Sequence, residues 1–424
     1  MLRLTISKIS HFREAAIKCT QVHGVCKAGD YQPGDRNTDD LTCLWNAVYI
    51  NDSWQIIHPY WVCRSVFGKQ PGGWIRLEEG GKTICKTQIE AAGVVRNAFK
   101  EYYIMPDPQQ FVYCCHPDDT KWQLIPTPIS RDSFLDQAYI LPPFWALGMQ
   151  LTSENKCSLK AKDGTVTITF QTPKATANEL DLDYDLLLKD GSTARENENE
   201  MLNPANMPRL VTKIRNTTEW KFYIQFPVEG TYRLVIYGSP YKQPLLRLCE
   251  FEIKCPKRKQ DCRLTPFNSG LLGYGPGPAC DKAGLLLPSH RNGLVSAEKD
   301  KPNILSFLLD SDLSKSLRIK PELIDSNSEM CPTLVKYSIK DKELKITTTI
   351  TKEGDYGLRI LTGTCNDKDE DLHMTVVCNY FIATSSKLAT EVSSYCKGYI
   401  YLGSHLFCRG FMFYLCYLYT YHII

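Results

Sequence analysis

Cys43 and His58, fifteen residues apart, are the side chains in this sequence best placed to do chemistry together. Cys43, Trp45, Ala47 and Tyr49 alternate along one predicted strand, and Trp54, Ile56 and His58 alternate along the next. Asn51-Asp52-Ser53 between them is a hairpin signal. On neighbouring strands the two would face each other within reach of a thiolate–imidazolium pair, which lowers a thiol pKa. A working nucleophile also needs an oxyanion hole and a carboxylate to orient the imidazole. The sequence assigns no residue to either task, and a strand cysteine lacks the helix N-terminus that polarises many nucleophilic thiols.

The remaining chemistry-bearing residues make weaker patterns. His11, His116, His290 and His373 are scattered, with no pair at i, i+4. His23 lies between Cys19 and Cys26, and His405 near Cys408, but neither group has two well-spaced ligand pairs. Cys114 and Cys115 are merely adjacent, and no CxxC has a second pair behind it. Gly72-Gly73 and Gly80-Gly81 lack the lysine and hydroxyl of a phosphate-cradling loop. No metal and no cofactor is therefore expected. Fifty basic residues balance 47 acidic ones, for a net charge of +3, which argues against nucleic-acid binding. The densest basic cluster, Lys257-Arg258-Lys259, reads as a solvated linker.

The elements that must hold these residues fall into modules. With 424 residues there is room for about three domains. Gly29 to Asp40 is a loop, Gly68 to Gly81 reads as irregular, and Pro142-Pro143 opens a new module. From there Val166, Ile168 and Phe170 alternate, as do Trp220 to Phe226 and Tyr232 to Ile236, which is an all-β pattern. Lys189 to Asn206 is a polar loop and Cys255 to Cys262 a linker. Glu229-Gly230-Thr231-Tyr232-Arg233-Leu234-Val235-Ile236 then returns 124 residues later as Glu353-Gly354-Asp355-Tyr356-Gly357-Leu358-Arg359-Ile360. Such a turn feeding a strand, with a tyrosine at the corner, is expected once in each of two immunoglobulin-like sandwiches.

Met1 to Ser10 shows no apolar signal core, so the expected compartment is a reducing cytoplasm with eighteen free cysteines, mostly buried. From Gly398 to Ile424 the only charged side chain is Arg409; the uninterrupted apolar part, Gly410 to Ile424, falls short of the roughly 20 residues of a spanning helix. A tail anchor, a further buried segment and a C-terminus that is not native all remain open for residues 396–424.

The stretch Gly24 to Trp61, with GVCKAGDYQPGD and then TCLWNAVYINDSWQIIHPYW, resembles the transglutaminase-like fold of the kyphoscoliosis peptidase and hillarin family. That family shows a G-Y-x-K-G loop, a Y-x-P-G turn, a D-H-A-W-N-A-V strand and a G-x-W-x-L-x-D-x-x-W strand. Lys27, Tyr31, Pro33, Gly34, Trp45, Asn46, Ala47, Val48, Trp54, Pro59 and Trp61 match. Glu101 to Leu124 and the Tyr274-Gly275-Pro276-Gly277 turn extend the similarity over about residues 15–385. The resemblance implies a Cys-His-Asp triad. The position of its histidine is Cys43 here, the position of its aspartate is His58, and its nucleophile would lie upstream of Met1.

These readings predict an α+β chain. A partial, papain-like transglutaminase core with an antiparallel sheet spans residues 1–125, followed by β-sandwiches over 140–255 and 263–386 and the aromatic tail over 396–424. The expected function is that of a pseudoenzyme, a non-catalytic interaction or scaffold protein, with Cys43 and His58 as degenerate triad positions. The resemblance implies protein partners of cytoskeletal type; membrane attachment is expected only through the tail. The alternative is a cysteine peptidase or protein-glutamine acyl transferase whose nucleophile-bearing N-terminus precedes this sequence.

Overall fold

The computed structural model describes residues 12, 14–27, 31–67, 74–76, 94–97, 99–177, 179–189, 207–270, 272–310, 317–364 and 374–384. It is mostly β-sheet, with short helices, and divides into two compact units: residues 1–213 with 217–264, and 214–216 with 265–424.

The first unit opens with a four-stranded antiparallel sheet. Its strands are β1 (Cys19–Cys26), β2 (Thr42–Ile50), β3 (Ser53–Ile57) and β4 (Cys115–Pro117), in the order β3-β2-β1-β4. Asn51 and Asp52, at φ 51° and 58°, form the two-residue turn between β2 and β3, the positive-φ geometry that suits a tight hairpin. A five-residue helix, α1 (Pro59–Cys63), follows β3 directly, with proline at its first position. Trp45, Val22, Ile56, Phe111 and Tyr103 bury one face of this sheet.

The same unit carries a sandwich. One sheet runs Ser158–Lys160, Leu246–Cys255, Gly230–Pro240, Leu180–Lys189; the facing one runs Val211–Arg215, Glu219–Gln225, Thr165–Gln171, Gln150–Leu151. Ile168, Phe222, Leu234 and Phe251 from the two sheets share one core. One expectation is corrected here. The stretch read as irregular contains a strand, Trp74–Arg76, which pairs with Leu187–Lys189 because that edge of the sheet is otherwise open. After Cys255 the chain is irregular and mostly exposed as far as Asp261, then Cys262 and Leu264 pack on the sandwich core.

The second unit repeats this plan. Leu285–Leu286, Pro302–Leu309, Glu343–Thr349 and Val335–Lys340 form one sheet; Leu294–Ala297, Thr375–Thr384, Asp355–Thr364 and Leu317–Asp325 form the other. Phe307 and Tyr380 meet between them, ring centroids 6.4 Å apart. In both sandwiches an early short strand runs parallel to the last, Ser158–Lys160 to Leu246–Cys255 and Leu294–Ala297 to Thr375–Thr384, and in both the last hairpin slips register after an isoleucine, at Ile236 and at Ile360. The repeated tyrosines explain the echo in the sequence. Tyr232 Oη donates to Val228 O at 3.0 Å and Tyr356 Oη to Lys352 O at 2.9 Å, each clamping the turn four residues back. Gly230 and Gly354 sit beside these corners at φ 156° and 158°.

Among the described residues no helix is long and apolar enough to cross a membrane. The tail over 396–424 and nearly all of the polar loop after Lys189 lie outside the described residues.

Candidate functional site

Pairing of β2 with β3 runs Ile50↔Ser53 to Asn46↔Ile57. Continuing that register one step sets His58 beside Trp45 and diagonal to Cys43 on the same buried face. The imidazole and the Trp45 ring lie stacked 6.3 Å apart, and Trp61 stacks on the other side at 4.3 Å. Cys43 Sγ stands 3.2 Å from His58 Nε2. The structure thus brings together the two side chains that the sequence singled out.

Two further thiols complete the cluster. Cys26, the last residue of β1, has its Sγ 3.9 Å from His58 Nε2, and Cys115, at the start of β4, has its Sγ 2.8 Å from that of Cys26. Cys26 and Cys115 are directly paired across β1 and β4. The flanking backbone bonds Lys27 N–H to Cys114 O and Asp118 N–H to His23 O make theirs a pair without ladder hydrogen bonds of its own, the kind in which side chains approach most closely. Gly24 permits the approach of β4: a Cβ on it would lie 2.2 Å from His116 O and 2.7 Å from the Trp45 ring.

Exposure decides what this cluster can do. His58 and Cys26 are fully buried, Cys115 is 1% exposed and Cys43 5%. Burial opposes ionisation of Cys26, but the Cys115 and Cys43 thiols aimed at its sulfur outweigh it and bring its pKa to about 7. Cys43 moves the other way: its hydrogen bond to Cys26 and then burial push it well up, against the pull of His58.

The ring orientation of His58 is set from its other side. The Trp61 backbone N–H donates to Nδ1 at 3.3 Å, so the imidazole caps α1 as a side-chain acceptor from the preceding residue. Nδ1 then holds a lone pair and the ring proton sits on Nε2, facing Cys43 and Cys26. In a Cys-His-carboxylate triad the arrangement is reversed, with Nδ1–H donating to the carboxylate and Nε2 free to accept the thiol proton.

Lys27, one residue past β1, is also buried. Its Nζ donates to Gln137 O at 2.9 Å and lies over the rings of Phe134 and Tyr31. Burial lowers its pKa to about 8.

Comparison with known proteins shows what the chain is similar to. The family model described as "KY-like, immunoglobulin-like domain" matches residues 131–266, the first sandwich. Hillarin of Drosophila melanogaster is 23% identical over 366 residues, 82% of this chain and 41% of that protein. These matches support the kyphoscoliosis peptidase and hillarin family for this chain. The Lim and transglutaminase domain protein ltd-1 of Caenorhabditis elegans is 22% identical over 82% of this chain and 46% of its own length. The kyphoscoliosis peptidase of Mus musculus is 22% identical over 71% and 39%. The chain spans less than half the length of each of these relatives.

Of the cluster, the sequence offers Cys26 and Cys115 only as poorly spaced ligands and gives no sign of their meeting with Cys43 and His58. They stand 89 residues apart, and Cys115 reaches the site on a strand of three residues with no alternation to announce it.

Proposed function

We propose that this chain is a non-catalytic member of its family, in which a degenerate transglutaminase-like core supports sandwich modules that bind other proteins. The observation that carries the reading is the bond from Trp61 N–H to His58 Nδ1. It leaves the ring proton on Nε2, so the imidazole donates towards Cys43 and has no lone pair there to take the thiol proton. Burial of Cys43 and His58 supports the same reading, since a protein substrate needs an accessible sulfur.

An exposed edge supports a binding role. Val335–Lys340 is the edge strand of its sheet among the described residues, and Tyr337 and Ile339 on it are each 49% exposed. Exposed strand edges with apolar side chains suit partner recognition. The partners we propose are cytoskeletal proteins in the cytoplasm, as the family resemblance implies.

The second reading is a thiol peptidase or acyl transferase, favoured by the 3.2 Å approach of Cys43 to His58 and by the peptidase name of some relatives. An alkylating thiol probe separates the two at neutral pH. The native chain should react at exposed Cys63 and not at Cys43. Selective labelling of Cys43 that disappears in His58→Ala would overturn the non-catalytic reading.

A further inference from the structure

Three thiols and an imidazole converge in a buried cluster beside the rings of Trp45, Trp61 and Tyr103. Free thiols bury readily as small apolar groups, but three of them gathered around one imidazole nitrogen also present a convergent set of metal donors. A borderline-soft divalent cation takes one lone pair from each of the four atoms.

We propose that Cys26, Cys43, Cys115 and His58 form a closed structural site for one zinc ion. The donor set is the Cys3His combination of structural zinc sites, which are four-coordinate and buried. The ligand atoms of Cys26, His58 and Cys115 lie within 4.8 Å of one another, and Cys43 Sγ stands 3.2 Å from the same Nε2. Zinc–sulfur bonds of about 2.3 Å and zinc–nitrogen bonds of about 2.0–2.1 Å separate tetrahedral donors by roughly 3.5–3.8 Å. Three of the six donor–donor spacings, 2.8, 3.2 and 3.9 Å, fall on both sides of that value; Cys43 stands outside the compact Cys26–His58–Cys115 trio and completes the sphere by turning its side chain towards it. The backbone positions are fixed by sheet register: Cys26 and Cys115 by direct pairing, Cys43 by the β1–β2 ladder, where Gly24 opposes it.

Ligation has a definite proton balance. Three thiols lose their protons to solvent as three sulfur–zinc bonds form, and the neutral imidazole donates its Nε2 lone pair. The ring proton moves to Nδ1, so the bond from Trp61 N–H is given up; with its Nε2 lone pair on zinc the imidazole still cannot take a thiol proton, so the non-catalytic reading holds in both states. One long capping hydrogen bond is exchanged for four metal–ligand bonds. Zinc favours thiolate and imidazole over the oxygen donors that magnesium and calcium require. Two of the four ligands stand at the positions where the family resemblance puts the general base and its orienting carboxylate.

The test uses the full chain, purified reduced with zinc present and dialysed against metal-free buffer. Elemental analysis should find one zinc per chain, and X-ray absorption should show three sulfur donors and one nitrogen. The cobalt-substituted protein should show thiolate charge-transfer bands. Cys43→Ser with Cys115→Ser should abolish binding, whereas Cys249→Ser, buried in the first sandwich, should keep it. The proposal is overturned by a folded wild-type chain without zinc, by a coordination sphere of other composition, by full retention in the double variant, or by a Cys26–Cys115 disulfide in its place. The wild-type stoichiometry and absorption spectrum need no variant to fold.

Discussion

Trp61 N–H donates to His58 Nδ1 at 3.3 Å, and this single bond links the capping of α1 to the chemistry open to Cys43. An aspartate at position 58, as the family resemblance has it, would cap the same turn with an oxygen. His58→Asn keeps an acceptor for Trp61 N–H, whereas His58→Leu leaves that donor without a side-chain partner. In buffer containing a chelator, His58→Leu should be less stable than His58→Asn by about 1 kcal/mol, the usual worth of an N-cap. Urea midpoints of the two variants check this; equal midpoints would show that the imidazole does not cap.

The pairing of Cys43 with His58 was legible in the sequence for a local reason. Both residues alternate with tryptophans, and the short turn at Asn51-Asp52 leaves one register available. Cys26 and Cys115 were not legible, because their meeting depends on Gly24 letting a three-residue strand close on β1. Similarly, the E-G-x-Y echo announced two related modules, since the tyrosine corner is local. The matching strand orders and the Trp74–Arg76 addition rest on long-range pairing that no short pattern records.

Gly24 should tolerate no side chain. Its Cβ would fall 2.2 Å from His116 O and 2.8 Å from Pro117 Cα, both backbone atoms that move only if β4 moves. Gly24→Ala should cost about 3 kcal/mol or more, at the upper end for overpacking. Thermal melts check the loss. Faster alkylation of Cys115 in the native variant would locate the damage at β4, and a melt within a degree of wild type would refute the close approach.

The two tyrosine corners can be ranked. Tyr232 is fully buried and Tyr356 slightly less so, and each hydroxyl satisfies a carbonyl oxygen. Tyr232→Phe and Tyr356→Phe should each destabilise by about 1–2 kcal/mol, with Tyr232→Phe the larger, because a buried carbonyl loses its donor. Denaturant titration monitored by hydrogen exchange in each unit reads the two separately, and a neutral Tyr232→Phe would remove the corner from the energetics of the fold.

Lys27 gives a pH signature whose sign follows from its environment. Burial brings its pKa from 10.5 to about 8 in the folded chain, so between these values the unfolded chain binds more protons than the folded one. Stability therefore rises with pH across that window, and below pH 8 the folded state bears the full cost of burying the cation. The difference of about 2.5 pKa units corresponds to roughly 3 kcal/mol. Lys27→Met should abolish this rise while sacrificing the bond to Gln137 O, so its stability at neutral pH should change little. The thiols of Cys26 and Cys43 titrate in both proteins and cancel in the difference between the two pH profiles. Urea midpoints of wild type and Lys27→Met, measured every half unit from about pH 7 to 11, should lie close together at pH 7 and diverge as the pH rises, wild type becoming the more stable; parallel profiles would place the Lys27 ammonium in solvent.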